Sequence, residues 1–163
     1  MAAIDIGPEA ENRSSTSTAG KTFICLDNPA NESGTIDTIE IWIQTTSSDC
    51  EVATFSGGGG AGVYTARDSA TLGAIIAGEK RTFTGLSLNV VAGDYLGFYM
   101  SDGKIETTVS GFAGLLEFAG DGTGGAETYT LNSGDTTSIK GTGSTTVAVS
   151  GSGAFRIKRI INI

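Results

Sequence analysis

The side chains available for chemistry in this chain include 18 Asp and Glu residues but no histidine. Without imidazole, the sequence excludes a Ser–His–Asp triad, a Cys–His pair and a histidine-ligated zinc site. Carboxylate chemistry remains, since a glycosidase needs only two Asp or Glu residues across a cleft. Most of these carboxylates stand beside turn glycines or on strand faces that we expect to be solvated, so a protein that is not an enzyme is favoured.

Two predicted loops carry oxygen ligands of the kind that calcium binds. The side chains concerned are Asp27, Asn28, Asn31 and Glu32 in the first loop, and Asp121 and Glu127 in the second. Neither loop has the spacing of an EF-hand, and turn-forming Asn and Asp account for both without a metal. The sequence therefore predicts no cofactor and leaves calcium as the alternative.

Two glycine runs, at 57–62 and 120–125, formally match the GxGxxG pattern of dinucleotide-binding loops. That chemistry needs a helix to begin directly after the loop, so that its N-terminus faces the pyrophosphate. The residues that follow, such as Val63-Tyr64-Thr65, are typical of a strand. We interpret both runs as flexible turns.

Three aromatic residues are candidates for a contact surface. Trp42 alternates with Ile41 and Ile43, so it is predicted on the opposite strand face, covered by a loop, buried against another protein, or stacked on a sugar ring. Tyr95 and Tyr99 form a similar pair that we expect to face outward.

The C-terminus is the strongest indication of an interaction. Residues 1–155 contain seven basic and 18 acidic side chains, a net charge of −11, whereas the last eight residues carry +3. A cationic apolar strand on an anionic body is a candidate for pairing with a neighbouring subunit, the alternative being a closing strand of its own sheet. With the N-terminal strand, the candidate assembly residues are Ile4, Ile6, Phe155, Arg156, Ile157, Lys158, Arg159 and Ile161.

Overall charge and composition limit the classes of partner that the protein could bind and the compartment in which it could be made. A net charge of −8 argues against nucleic acid, no apolar run is long enough to span a membrane, and no secretory signal is visible at Met1. We therefore expect synthesis in the cytoplasm.

The spacing of the two cysteines, Cys25 and Cys50, is not that of a zinc site. They are predicted to be two half-buried thiols or, alternatively, a strand-to-strand disulfide.

Alternating apolar and polar residues predict an all-β protein throughout. Ile39, Ile41 and Ile43 share one strand face, and the two runs of Leu86–Met100 read as a hairpin around Ala92-Gly93-Asp94. Strands recur every 8 to 15 residues, which favours an antiparallel, jelly-roll-like β-sandwich of about ten to twelve short strands. We divide the chain into an N-terminal strand and arm (1–20), a body (21–150) and a basic apolar strand (151–163).

Several strand-and-turn segments together resemble a β-sandwich module of tailed-bacteriophage and environmental viral structural proteins. The matching segments are Ala3–Gly7, Asp27–Ala30, Gly34–Trp42, Cys50–Phe55, Arg67-Asp68-Ser69, Thr82–Leu86 and Val90–Phe98. The resemblance runs from about residue 3 to residue 143, and the tail lies outside it. It implies a non-enzymatic part of a virion, in capsid decoration or in a tail or fibre, whose partners are other virion proteins or copies of itself in a homo-oligomer. It transfers no catalytic residue to this chain.

A second hypothesis places the protein in another class. A carbohydrate-binding or adhesion module, calcium-dependent or not, would use Trp42 or the pair Tyr95 and Tyr99 as a platform for a surface glycan. Its expected location is an extracellular surface rather than a virion.

Overall fold

The computed structural model describes residues 2–146, and every regular element in that range is a β-strand. The all-β prediction is confirmed, although the described part has more strands than the ten to twelve expected. The fourteen strands are β1 (Ala3–Ile6), β2 (Ser15–Thr18), β3 (Lys21–Cys25), β4 (Gly34–Ile41), β5 (Ile43–Thr45), β6 (Cys50–Ser56), β7 (Gly62–Thr71), β8 (Arg81–Val90), β9 (Tyr95–Met100), β10 (Lys104–Thr108), β11 (Leu115–Ala119), β12 (Ala126–Asn132), β13 (Thr136–Thr137) and β14 (Ile139–Thr145).

The strands form antiparallel ladders in three groups. Sheet A has the order β1-β14-β4-β8, and a small sheet has the order β13-β10-β2, with β5 also paired to β10. The remaining six strands close into a barrel of order β11-β12-β7-β6-β9-β3. Closure arises because β11 pairs with β12 on one side and with β3 on the other. Because this barrel is closed, the strand pairing does not confirm the predicted jelly-roll-like sandwich.

Two clusters of buried side chains hold these groups together. The larger one joins sheet A, through residues such as Ile36 and Ile39, to one barrel wall, through residues such as Phe98 and Met100. The smaller one contains Phe55 and Tyr129 and comes from the barrel strands. Strands β3 and β6 contribute to both clusters, since their alternate side chains point to opposite faces of the wall.

The predicted hairpin within Leu86–Met100 is not formed. Strand β8 pairs with β4 in sheet A, whereas β9 pairs with β3 and β6 in the barrel. The turn at Ala92-Gly93-Asp94 therefore carries the chain from one layer to the other. Strands β8 and β9 each have an apolar face. These two faces pack against each other in the larger cluster, from opposite layers, instead of lying side by side in one sheet.

Two strands within residues 2–20 pair with strands of the predicted body. β1 is an edge strand of sheet A, and β2 pairs with β10. Between them, the buried guanidinium of Arg13 donates from Nε to Ser138 Oγ at 2.8 Å and lies 5.3 Å from the ring centroid of Phe112. The predicted boundary at residue 150 and the strand at 151–163 lie outside the described residues.

Candidate assembly and binding surfaces

The N-terminal strand was a candidate for assembly, but its apolar side chains are already used. Ile4 and Ile6 are fully buried and belong to the larger core cluster. Their strand pairs with β14 through the register Ile4↔Gly143 and Ile6↔Gly141. Neither side chain is available to a neighbouring subunit while this sheet is intact.

The outer edge of β1 is covered by the loop at residues 28–31. Asp5 N–H donates to Asn31 Oδ1 at 2.9 Å, and Asn31 Nδ2 donates to the carbonyl of Ala3 at 3.1 Å. The Asn31 side chain therefore makes the backbone hydrogen bonds that a neighbouring strand would otherwise make. Gly7 N–H then donates to the carbonyl of Asn28 at 2.8 Å. Such capping protects an edge strand from pairing with another chain.

We predict that Asn31→Ala will lower the free energy of unfolding by about 1 kcal/mol, because two exposed hydrogen bonds are lost. It should also raise self-association, since the β1 edge becomes free. Urea denaturation and light scattering measure the two effects. The neighbouring exposed residue supplies the control, and Glu32→Ala should change neither quantity. Equal behaviour of the two variants would show that the Asn31 contacts contribute nothing.

Trp42 lies at the junction where the chain leaves sheet A for the small sheet. Ile41 and Ile43 on either side are buried in the core, while Trp42 is half-buried, and its backbone N–H donates to the carbonyl of Ser138 at 3.1 Å. The predicted opposite orientation of Trp42 therefore agrees with the burial pattern. Part of its indole remains accessible to a partner or ligand.

The expected outward pair Tyr95 and Tyr99 does not form an exposed platform. Both residues are half-buried, and Tyr95 packs against the smaller cluster, with its ring 5.9 Å from that of Tyr64 in an edge arrangement. On the face opposite Leu96 and Phe98, Tyr95 is therefore partly covered by the barrel cluster. Strand alternation separated the two faces of β9 correctly but could not show that a second cluster packs against Tyr95.

The two GxGxxG runs form the connections at opposite ends of the barrel, because β6 and β11, which precede them, run in opposite directions. At 57–62, the Tyr64 hydroxyl accepts from Gly59 N–H at 2.9 Å and donates to the carbonyl of Gly60 at 3.0 Å. At 120–125, Gly122 N–H donates to Thr22 Oγ1 at 2.7 Å. Strands follow both loops, so neither has the helix that phosphate binding needs.

Tight packing explains why glycine stands at particular positions of these loops. A Cβ on Gly57 would lie only 2.2 Å from the Cδ1 and Cε1 atoms of Tyr64, whereas a Cβ on Gly58 would meet nothing within 4 Å. We predict that Gly57→Ala will destabilise the protein by about 1–3 kcal/mol through overpacking, and that Gly58→Ala will stay within about 0.5 kcal/mol of the parent. Thermal unfolding of both variants checks this, and equal midpoints would contradict it.

Four of the six calcium candidates have other partners. Asp27 Oδ1 accepts from Ala113 N–H at 2.8 Å, Asn28 and Asn31 bind β1, and Asp121 Oδ1 accepts from Thr123 N–H at 3.0 Å. Among residues 2–146, no group of three or more His, Cys, Asp or Glu side chains is placed to hold a metal ion. Calcium therefore stays a prediction without geometric support.

Cys25 and Cys50 are both free and fully buried. They lie on β3 and β6, on either side of β9, in register with Leu96 and Met100 respectively. Two strand spacings and four residues separate them by roughly 15 Å, well beyond the reach of a disulfide. Burial raises the pKa of both thiols, so they are unreactive in the folded protein.

The sequence analysis did not predict an ion pair in which the carboxylate is buried and the guanidinium is partly exposed. Arg67 donates from Nε and from Nη2 to the two carboxylate oxygens of Asp94, at 2.5 and 3.0 Å, and Val91 N–H donates to Asp94 Oδ2 at 2.8 Å. The hydrogen bonds to Asp94 raise the pKa of Arg67. This pair attaches β7 to the turn between sheet A and the barrel. In the sequence, the only indication of this pair was an acidic turn residue that lies 27 positions from an arginine.

Strand β8 is the other edge of sheet A, and its two halves differ. At its C-terminal end, Asn89 N–H donates to Asp68 Oδ2 at 2.8 Å, and the carbonyl of Asn89 accepts from Thr54 Oγ1 at 2.7 Å. Among the described strands, the N-terminal half pairs only with β4. An open pocket of about 240 Å³ adjoins this half. Its lining residues are Ala74, Ile75, Ile76, Arg81, Thr82 and Phe83.

The cations of the body are largely neutralised by its own carboxylates. Six of the seven basic residues before position 156 form an ion pair in the described range, at Arg13, Lys21, Arg67, Lys80, Arg81 and Lys140. Because there are 18 acidic side chains in residues 1–155, most of their negative charge has no basic side chain of the body to balance it.

In residues 2–146 no helix is long and apolar enough to cross a membrane.

The C-terminal candidates Phe155, Arg156, Ile157, Lys158, Arg159 and Ile161 lie outside the described residues. Comparisons of the chain with protein-family models, curated proteins and solved structures found no match. The resemblance to a viral β-sandwich module accordingly stays a hypothesis.

Proposed function

We propose that this protein is a non-enzymatic structural component of a phage particle, in capsid decoration or in a tail or fibre, that acts by assembling with other virion proteins or copies of itself. One observation carries the proposal: a body of net charge −11, whose cations are mostly paired internally, continues into a tail of charge +3. Opposite charges steer association between subunits and favour one orientation over others.

The covered strand edges support the same function. The barrel has no free edge, β1 is capped by Asn31, and half of β8 is capped by Asp68 and Thr54. A subunit that accumulates before assembly needs such protection against random pairing. We propose residues 151–163 as the segment dedicated to association.

At the finer level of fold, we propose a jelly-roll-like sandwich with one layer closed. Sheet A forms one layer, and the barrel wall made of β3, β9 and β6 forms the other, with the larger cluster between them. This arrangement is compatible with the resemblance to viral modules, because sandwiches of this kind recur in capsid proteins.

The test is deletion of residues 153–163. We expect the truncated chain to remain folded, with a far-ultraviolet circular dichroism spectrum and an unfolding midpoint close to those of the parent, but to lose self-association or binding to its particle. Association that survives unchanged in the folded truncated protein would refute the tail as attachment segment. A truncated chain that unfolds would instead support the closing-strand alternative.

The second candidate function is a carbohydrate-binding or adhesion module on an extracellular surface. The observation in its favour is Trp42, which is only half-buried at a sheet junction. Loss of glycan-array binding in Trp42→Ala, but not in Tyr99→Ala, would support a platform at Trp42. Absence of binding to every glycan by the parent protein would remove this candidate.

A further inference from the structure

We propose that the open half of β8 and its adjoining pocket receive residues 155–163 of a second copy of this chain. This inference rests on the proposed function and names the acceptor surface for the tail. It predicts a heterologous, head-to-tail contact, which closes into a ring or extends into a filament.

The first support is the unpaired edge of β8. Strand β4 occupies one side of β8 from Arg81 to Val90, and no described strand pairs with the other side. Side chains of Asp68 and Thr54 occupy that side only at Asn89. Backbone donors and acceptors near Thr82 and Thr84 are thus accessible for β-addition, in which an extended segment continues the sheet.

The second support is the apolar pocket at the same place. Ile76 is 62% exposed, and Phe83 is half-buried and packs against the larger core cluster. Arg81 also lines the pocket, and its Nε donates to the carbonyl of Ile76 at 2.9 Å while its guanidinium pairs with Glu79. A strand added beside β8 would therefore insert alternate apolar side chains next to Ile76 and Phe83.

The tail has the matching pattern. In strand alternation, Phe155, Ile157 and Ile161 share one face with a single cation, Arg159, while Arg156 and Lys158 share the other face with Ile160. The first face is mainly apolar and suits the pocket, and the second carries two cations that suit an acidic body whose own cations are mostly paired. Pairing and burial then act together, as in other cases of strand addition.

The position of the tail favours a second copy over the same chain. β14 ends at Thr145, which is in register with Gly34, whereas the pocket lies at the opposite end of sheet A, where Arg81 is in register with Ile41. A segment returning to its own pocket would cross two strands and travel roughly 23 Å along the sheet. Nine linker residues span about 30 Å only when almost fully extended. A neighbouring copy has no such restriction.

The experiment compares Ile76→Lys with Val63→Lys in the full chain. Both side chains are 62% exposed, so neither substitution should unfold the protein, but only the first places a cation where the cationic tail would dock. We expect Ile76→Lys to weaken self-association about tenfold or more, as measured by sedimentation, and Val63→Lys to leave it unchanged. Equal association constants for the two variants would overturn the proposal.

Disulfide trapping identifies which copy supplies the tail. The native cysteines are buried, so Ile76→Cys and Ile157→Cys introduce the accessible thiols. Mixing the two single variants should give a cross-linked dimer of unlike chains. A double variant that cross-links only within one chain would overturn the proposal in favour of the chain's own tail, as would a parent chain that is monomeric at every concentration.

Failure of this inference and failure of the proposed function give different results. If deletion of residues 153–163 abolishes association while Ile76→Lys does not, the tail docks elsewhere and the proposed function stands. If the folded deletion variant associates like the parent, the tail is not the attachment segment, and both proposals about it are refuted.

Discussion

Arg67→Ala is expected to lower the free energy of unfolding by about 3 kcal/mol. The substitution leaves the Asp94 carboxylate, whose side chain is 4% exposed, with the Val91 N–H but without a counter-charge. Removing one partner of a buried ion pair typically costs 3–5 kcal/mol, and the partial exposure of Arg67 places this case at the lower end. Equilibrium urea denaturation measures the effect.

The matched control is the surface pair of Lys80 and Glu40, whose side chains are both more exposed than Asp94. We expect Lys80→Ala to cost less than about 1 kcal/mol. In a double-mutant cycle, Asp94→Ala should recover part of the loss in Arg67→Ala, because no unpaired buried charge then remains. If Arg67→Ala costs no more than Lys80→Ala, the pair does not hold β7 to the turn between the layers.

Gly97→Ala is expected to destabilise the protein by about 3 kcal/mol as well. Gly97 lies in the middle of β9, between β3 and β6, where a Cβ would come within 2.8 Å of Phe55 Cε2 and 3.1 Å of Ile24 Cγ1. It would also meet the backbone carbonyl of Phe23, which cannot move without breaking the β3–β9 ladder. Overpacking of this kind costs 1–3 kcal/mol or more, and backbone contact places it at the upper end.

Gly124→Ala controls for the intrinsic effect of adding a methyl group. A Cβ at that position would meet nothing within 4 Å, and its backbone does not have a positive φ. We expect the unfolding midpoint of Gly124→Ala to match that of the parent within about 2 °C, since surface changes are usually within about 0.5 kcal/mol. An unfolding midpoint of Gly97→Ala equal to that of the parent would contradict the close packing of the barrel wall around Gly97.

Several features of the candidate sites depended on tertiary contacts between distant positions. Asn31 caps Ala3 and Asp5, and Asp68 caps Asn89, across gaps in the chain that no local pattern spans. The clearest case is the pair of tyrosines expected on an outer face. Tyr95 is opposite Leu96 and Phe98, as alternation requires, but ring closure places a second hydrophobic cluster on that side.

The sequence by itself determined the strands, their alternating faces and the separation of charge between body and tail. Ile39, Ile41 and Ile43 are all buried, because a period of two residues is a local property of the extended backbone. The tertiary structure alone decided which strands pair, as shown by β8 and β9, which lie in different layers despite a hairpin-like turn. Pairing depends on which distant strand offers a free edge and a complementary apolar face. The local alternation of residues contains no information about either.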